Sequence, residues 1–347
     1  MTFPICAIFP VYECADRLRD HLRRSQEWLL LVEQVVVVAS HSTDGTLQVA
    51  REMLDGTGAE ILPVPPGLYP AWNTGIARAG AEYVYISTVG DGIDACGLGH
   101  LLETIVELEC DVLISPPRCV HEDGSPAEER EFPIHQLLAK ADVSDPVRIP
   151  RWLAYTLATG FSVESLLGSS ASNLYRREFL QRHPFPANFG KAGDAAWLRR
   201  RALSVRLGLT PRVCADFLLH QDHGARPHGE LTEILERLQG ESECALAEAR
   251  ASSNCGSELA LLNAWRLCAG VSPERTLDAI RHLEGIAAKN EEQRAYIGDL
   301  EAELSKMREA MELLDRECDR RGAELKALQS LGGAELVRRG VARWLQR

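Results

Sequence analysis

Hydrophobic and polar positions divide the chain into regions of different period. Over residues 1–228, short apolar runs alternate with longer amphipathic stretches. PICAIF (4–9) is an apolar run of strand length, the stretch 15–28 follows with a helical repeat, and VVVV (35–38) is a continuous β-branched run. Such a run fits a strand covered on both faces. AEILPV (59–64), EYVYIS (82–87) and CDVLIS (110–115) predict three more strands, with helices at 70–79 and 98–109. STDGT (42–46) opens a further helix, with Ser42 or Asp44 as its predicted N-cap. Strands alternating with helices predict right-handed crossovers and a mainly parallel sheet. A sheet of that kind binds ligands beyond the carboxyl ends of its strands. The loops after Phe9, Val38, Val64, Ser87 and Ser115 are therefore where chemistry is expected.

Past residue 228 the strand signals stop. Residues 229–282 read as a helical region, with helices around 231–249, 258–268 and 273–283. From Leu283 a heptad takes over: eleven of the fourteen a and d positions between Leu283 and Leu328 are apolar, with Glu, Lys and Arg between them. This predicts a coiled coil over 283–330 and self-association through it; a hairpin folded back on the preceding helices is the alternative. Asn290 at an a position would fix the register, and Arg321 at a d position would weaken the seam. The last segment, 332–347, carries Leu336, Val337, Val341, Trp344 and Leu345 near one helical face and four arginines around the other. A basic amphipathic helix bearing Trp suits an anionic membrane surface. Docking on the protein itself is the alternative.

The chain has 347 residues and a formal net charge of −12, which excludes a protein that coats nucleic acid. Hydrophobic residues at 45 % and charged residues at 25 % exclude wholesale disorder. No segment reads as a signal peptide. The longest apolar stretch, 28–39, is broken by Glu33 and Gln34, whereas a membrane span needs about 20 apolar residues. Ten scattered cysteines without a CxxC pair point to reduced, mostly buried thiols and a cytoplasmic location rather than to a zinc site.

Four blocks carry candidate chemistry: FPVYE (9–13), ASHSTDGT (39–46), GLYPAWNTGIARAGAEYVYISTVGDGID (67–94) and FPANFGKAGDAAWLRR (185–200). Their order and spacing resemble a family-2 glycosyltransferase of the GT-A fold, over about residues 3–225. The matching residues are Pro10-Val11-Tyr12, Ser42 to Thr46, Asn73-x-Gly75-Ile76, Gly90-Asp91 and Gly193-Asp194. The resemblance implies an α/β fold: a Rossmann-like, mainly parallel GT-A domain (1–228), followed by an all-α region with a coiled coil.

It also implies an activity: inverting transfer of a sugar from a nucleotide-diphosphate donor to a hydroxyl of a glycan or lipid-linked acceptor. Such an acceptor must lose a proton as it attacks, so a carboxylate base must stand within hydrogen-bond reach. The resemblance gives that role to Asp194, which would also suit as N-cap of a helix over 195–202. Pro10, Tyr12, Glu13, Ser40, Asn73 and Asp91 are the implied donor-binding residues. Tyr12 would stack on the base, Glu13 would reach the ribose or a neighbouring backbone group, and Asn73 would contact the nucleotide or hold its loop. A divalent cation, Mn²⁺ or Mg²⁺, would sit on Asp91 and the diphosphate.

The acidic motif is incomplete, however. Thr88 stands where a second acid is usual, Asp94, three residues on from Asp91, is either its substitute or a surface residue, and Ala39-Ser40 replaces the usual acids of the second block. His220 and His223 are further candidate metal ligands, Trp72, Trp152 and Trp197 candidate sugar platforms, and Arg176 and Arg177 candidate phosphate contacts. The expected setting is the cytoplasm, with peripheral attachment to the inner membrane, in cell-surface polysaccharide synthesis. The alternative is a catalytically inactive GT-A protein that binds glycans or acts as a scaffold through its coiled coil.

Overall fold

The computed structural model describes residues 2–252 apart from 129, 142, 161–163 and 220–227. The coiled coil, the basic terminal segment, most of the helical region, His220 and His223 lie outside the described residues. The chain divides into two units, Met1–Ala245 and Leu246–Arg347, and the fold below is that of the first.

The first half follows the hydrophobic pattern closely. It runs β1 (Phe3–Val11), α1 (Ala15–Leu29), β2 (Val32–Ser40), α2 (Thr46–Met53), β3 (Glu60–Val64), α3 (Leu68–Arg78) and β4 (Tyr83–Ile86). Then come β5 (Gly92–Ile93), α4 (Ala95–Glu107), β6 (Val112–Ile114), β7 (Arg118–Val120), α5 (Pro133–Ala141), β8 (Val147–Ile149) and α6 (Arg151–Gly160). The remainder comprises β9 (Asn173–Arg176), α7 (Arg177–Arg182), α8 (Gly193–Arg201), β10 (Leu207–Leu209), β11 (Ala215–Leu218) and α9 (His228–Ser252).

Eight strands form one sheet in the order β3-β2-β1-β4-β9-β6-β10-β8. Strands β3, β2, β1 and β4 are mutually parallel, with Ile8 level with Val36 on one side and Ile86 on the other. β10 is parallel to β6, whereas β9 runs antiparallel to both β4 and β6, and β8 is antiparallel to β10. A strand sheathed by helices on both faces has no solvent side, so β1 is fully buried from Ile5 to Phe9. A second sheet, β5-β11-β7, lies apart from the first.

Helix α3 shows why the Asn-x-Gly-Ile spacing matters. A Cβ on Gly75 would stand 2.4 Å from the Ile8 side chain, so only glycine lets α3 approach β1 this closely. Two predicted caps differ from the structure. The N-cap of α2 is Gly45, at φ 87, because the chain must turn through the left-handed region to enter the helix. The N-cap of α8 is Ala192, which places Asp194 inside the first turn. In α9, Ile234 and Leu238 pack on Phe189, Ala192, Ala195 and Ala196, covering the outer face of the segment that carries Asp194. Of the seven cysteines described, five are buried, and Cys96 and Cys244 are exposed.

Candidate active site

Because β1 to β4 run parallel, their carboxyl ends line one edge, and the first three blocks emerge there. The first two are sewn together by short polar side chains. Glu13, at φ 44, donates its N–H to Ser42 Oγ (3.0 Å), and its carboxylate accepts from the Thr43 N–H (2.8 Å) and hydroxyl (3.2 Å). Asp44 accepts from the Ala15 N–H (2.9 Å), the Thr46 N–H (3.0 Å) and the Thr46 hydroxyl (2.6 Å). These bonds, that of the Thr46 hydroxyl first, hold its carboxyl below the usual range. Glu13 therefore reaches a neighbouring backbone group, the second of its two expected roles. Tyr12 stands 54 % exposed at the end of β1, next to the partly buried Pro10, and Ser40 is buried at the end of β2.

The turn after β4 holds Asp91. Its carboxylate is buried; Oδ1 accepts from the Leu218 N–H of β11 (3.0 Å) and Oδ2 from the Ser169 hydroxyl (3.0 Å). Burial pushes its pKa up to about 7, against the pull of those two donors and of Arg24. Beside it, the Thr88 hydroxyl pairs with that of Ser170 (2.7 Å), and Gly90 turns at φ 107. Below the turn His21 is buried against Ser87 (2.9 Å), and burial lowers its pKa to about 4, so the ring is neutral. A buried acid whose pKa is raised on folding stabilises the protein most at low pH, and that contribution is lost as pH rises toward the folded value. The stability of the native protein relative to Asp91→Asn should thus fall between pH 4 and 7. Parallel thermal melts of the two proteins across that range check it.

Asp194 lies half-buried in the first turn of α8. Its Oδ1 accepts from the Tyr69 hydroxyl (3.1 Å) and the Ala195 N–H (2.9 Å), and its own N–H donates to the Tyr69 oxygen (3.0 Å). Burial raises its pKa above the usual carboxylate range; the Ala195 N–H, Tyr69 and Ser165 pull it back. Asn73 spends both ends of its amide on the Phe185 main chain, donating to the carbonyl (2.7 Å) and accepting from the N–H (2.9 Å). It holds the loop, the second of its expected roles. Gly193 is needed because a Cβ there would stand 2.3 Å from the Tyr69 ring.

Two features were illegible in the sequence. One is Tyr69 itself. The other is the segment 165–170, whose Ser165, Ser169 and Ser170 serve Asp194, Asp91 and Thr88 in turn. Its only signal is a run of serines around Gly168, which lies at φ 58. Other candidates are engaged within the fold. Trp72 and Trp197 are buried against Phe185 (5.2 and 5.0 Å between ring centres), so neither presents a platform. Arg176 pairs with Glu82 and the Tyr83 hydroxyl at the start of β4, the opposite edge of the sheet.

A divalent metal finds a thin donor set here. Mg²⁺ and ions like it take carboxylate and phosphate oxygens in near-octahedral array. Both Asp91 oxygens already accept hydrogen bonds, Thr88 is tied to Ser170, and Asp94 is the exposed N-cap of α4, accepting from the Gly97 N–H (2.6 Å). Among the described residues no three of His, Cys, Asp and Glu come together to hold a metal. The described residues alone therefore do not make a metal centre.

The family model for glycosyl transferase family 2 matches residues 6–206, more than half of the chain. The chain belongs to glycosyl transferase family 2. Its sheet and helices have the GT-A fold seen in S. aureus TarS. The structure of TarS residues 1–349 in complex with UDP-GlcNAc aligns with a TM-score of 0.51 and 18 % identity, over 70 % of this chain and 66 % of that one. A second TarS structure aligns with a TM-score of 0.51 and 17 % identity, over 77 % of this chain and 43 % of that one. This family-2 chain thus spans less than two-thirds of either. A mannosyltransferase from Pyrobaculum calidifontis, solved with GDP-Man and Mn²⁺, is more distant, with a TM-score of 0.44 and 18 % identity over 84 % of this chain and 87 % of that one. No curated protein matches the chain. Among the described residues no helix is long and apolar enough to cross a membrane.

Proposed function

We propose that this family-2 chain transfers a sugar from a nucleoside-diphosphate donor to a hydroxyl of a glycan or lipid-linked acceptor, with inversion. The observation that carries the reading is Asp194: a rigidly held carboxylate, raised in pKa, at the start of a helix and joined through the segment 165–170 to the turn of Asp91. In one in-line displacement the acceptor oxygen bonds to the anomeric carbon and the diphosphate leaves with the bonding electrons. Asp194 takes the acceptor proton in the same step. A pKa lifted towards neutrality makes a carboxylate a better proton acceptor, provided it is ionised at the working pH. The exposed Tyr12 ring would stack on the nucleotide base beside Pro10 and Ser40. The hydroxyls of Thr88 and Ser170 would face the diphosphate.

Outside the described residues, the heptads of 283–330 would join copies of the chain, and the basic segment 332–347 would rest on the inner membrane surface, where lipid-linked acceptors are built. Failure of the full chain to bind anionic vesicles would dispose of the membrane link.

Thermal melts with a panel of nucleoside diphosphates, each with and without Mn²⁺, test the donor reading. A ligand at a hundredfold excess over Kd stabilises the native state by about 2.7 kcal/mol. One nucleotide is expected to raise the melting temperature above all others. If the shift grows with Mn²⁺, the metal sits on the diphosphate and Asp91. If it ignores Mn²⁺, hydroxyl and backbone donors carry the charge. The absence of a second acid at Thr88 favours one rival reading, an inactive scaffold, and silence across the whole panel would be its signature.

A further inference from the structure

We infer that Tyr69 is a positioning residue for Asp194: its hydroxyl locks the carboxylate through Oδ1 and so fixes the orientation in which the carboxylate meets the acceptor. The inference deepens the reading of Asp194 as the base and rests on it. A phenol has one hydrogen to donate and lone pairs to accept. Tyr69 uses both on one residue, donating to Asp194 Oδ1 (3.1 Å) and accepting from the Asp194 N–H (3.0 Å). The hydroxyl hydrogen has one other acceptor within reach, the Lys191 carbonyl at 3.4 Å. A hydrogen bond to an ionised carboxylate is shorter and stronger than one to a neutral carbonyl, so the carboxylate keeps it. With the Ala195 N–H also on Oδ1 (2.9 Å), rotation of the carboxylate would break two bonds at once.

The phenol is itself immobile. Its ring is 3 % exposed, stacks on Phe185 (5.7 Å) and meets Trp72 edge-on (5.1 Å). Phe185 is clamped in turn by the two hydrogen bonds of Asn73, and Gly193 leaves the ring its space. Two blocks more than a hundred residues apart in sequence thus serve one purpose: GLYPAWN builds the socket and FPANFGKAGD supplies the acid seated in it. During transfer the acceptor proton moves to the Asp194 carboxylate and later passes to solvent, while Tyr69 keeps its own proton, because burial holds its phenol far above the physiological range.

The test is a pH titration of the Asp194 carboxyl by ¹³C NMR on the full chain, labelled at aspartate side-chain carbons. Asp194→Asn identifies the resonance, and no substrate is needed. Tyr69→Phe removes one oxygen and leaves the packed ring. Because the lost hydrogen bond favoured the charged form, the Asp194 midpoint should rise by about one unit. An unchanged midpoint overturns the inference, since a purely structural tyrosine would alter stability but not the titration. Should Tyr69→Phe fail to fold, protein grown with 3-fluorotyrosine answers the same question. Its more acidic phenol donates a stronger bond, and the midpoint should fall; no fall would equally overturn the inference. The base assignment fails separately, if Asp194→Asn still transfers sugar.

Discussion

Asp194→Asn is expected to lower sugar transfer by about 10²–10⁴-fold, the usual worth of a positioned general base. The substitution is nearly isosteric. The amide oxygen can still accept from the Tyr69 hydroxyl and the Ala195 N–H, so the socket and the first turn of α8 survive. Donor affinity, read as thermal stabilisation by the nucleotide that the panel selects, should stay at the native level. Loss confined to turnover marks an interaction made in the transition state rather than in ground-state binding. The pH profile gives a second reading. Burial raises the native carboxyl above its usual range, so native kcat/KM should climb with pH through an acidic limb displaced upward. That limb should vanish in the variant. Activity near the native level in Asp194→Asn would place the base elsewhere and end the proposed mechanism.

Asp111→Ala should be strongly destabilising. Asp111 is buried just before β6, and its carboxylate accepts from the Arg206 N–H (3.0 Å), Nε (3.0 Å) and Nη2 (2.6 Å). Its carbonyl also accepts from the Arg176 N–H (2.7 Å), so one residue ties the start of β6 to the end of β9 and the approach to β10. Removing one partner of a buried ion pair costs roughly 3–5 kcal/mol. Arg206 is half exposed and can return to water, which favours the lower end, about 3 kcal/mol. For a unit of this size that is a fall of roughly 6–12 °C in melting temperature. Asp111→Asn keeps an acceptor and should recover part of the loss. A melt within 2 °C of the native protein, taken as roughly the effect of 1 kcal/mol or less, would show that the pair contributes little.

How far the sequence foretold the structure depended on the length of each signal. The runs 4–9, 35–38, 59–64, 82–87 and 110–115 all became strands; in all but the edge strand β3, burial on both faces leaves an unbroken apolar record. β8, β9 and β10 have three or four residues each, too short for any period to show. β9 also enters the sheet antiparallel, which no local pattern encodes. At the site, Asp91 and Asp194 could be singled out because each follows a glycine in a recognisable block. Tyr69 could not, since a tyrosine opening an amphipathic helix reads as core and only the fold turns its hydroxyl on Asp194. Asn73 was ambiguous for the same reason: the partner of its amide is the main chain of Phe185, 112 residues away.

The place of β9 bears on how the protein comes into being. The strand lies between β4 and β6, both of which leave the ribosome before it, so the sheet must stay open until β9 arrives. Asp91 waits longer still: Ser169 is 78 residues downstream and Leu218 is 127. At about 5–20 residues per second, the turn of Asp91 spends on the order of ten seconds without its partners while the first four strands are already made. A nascent chain halted before residue 169 would thus carry the parallel half of the sheet with one edge bare, a natural site for a chaperone to cover.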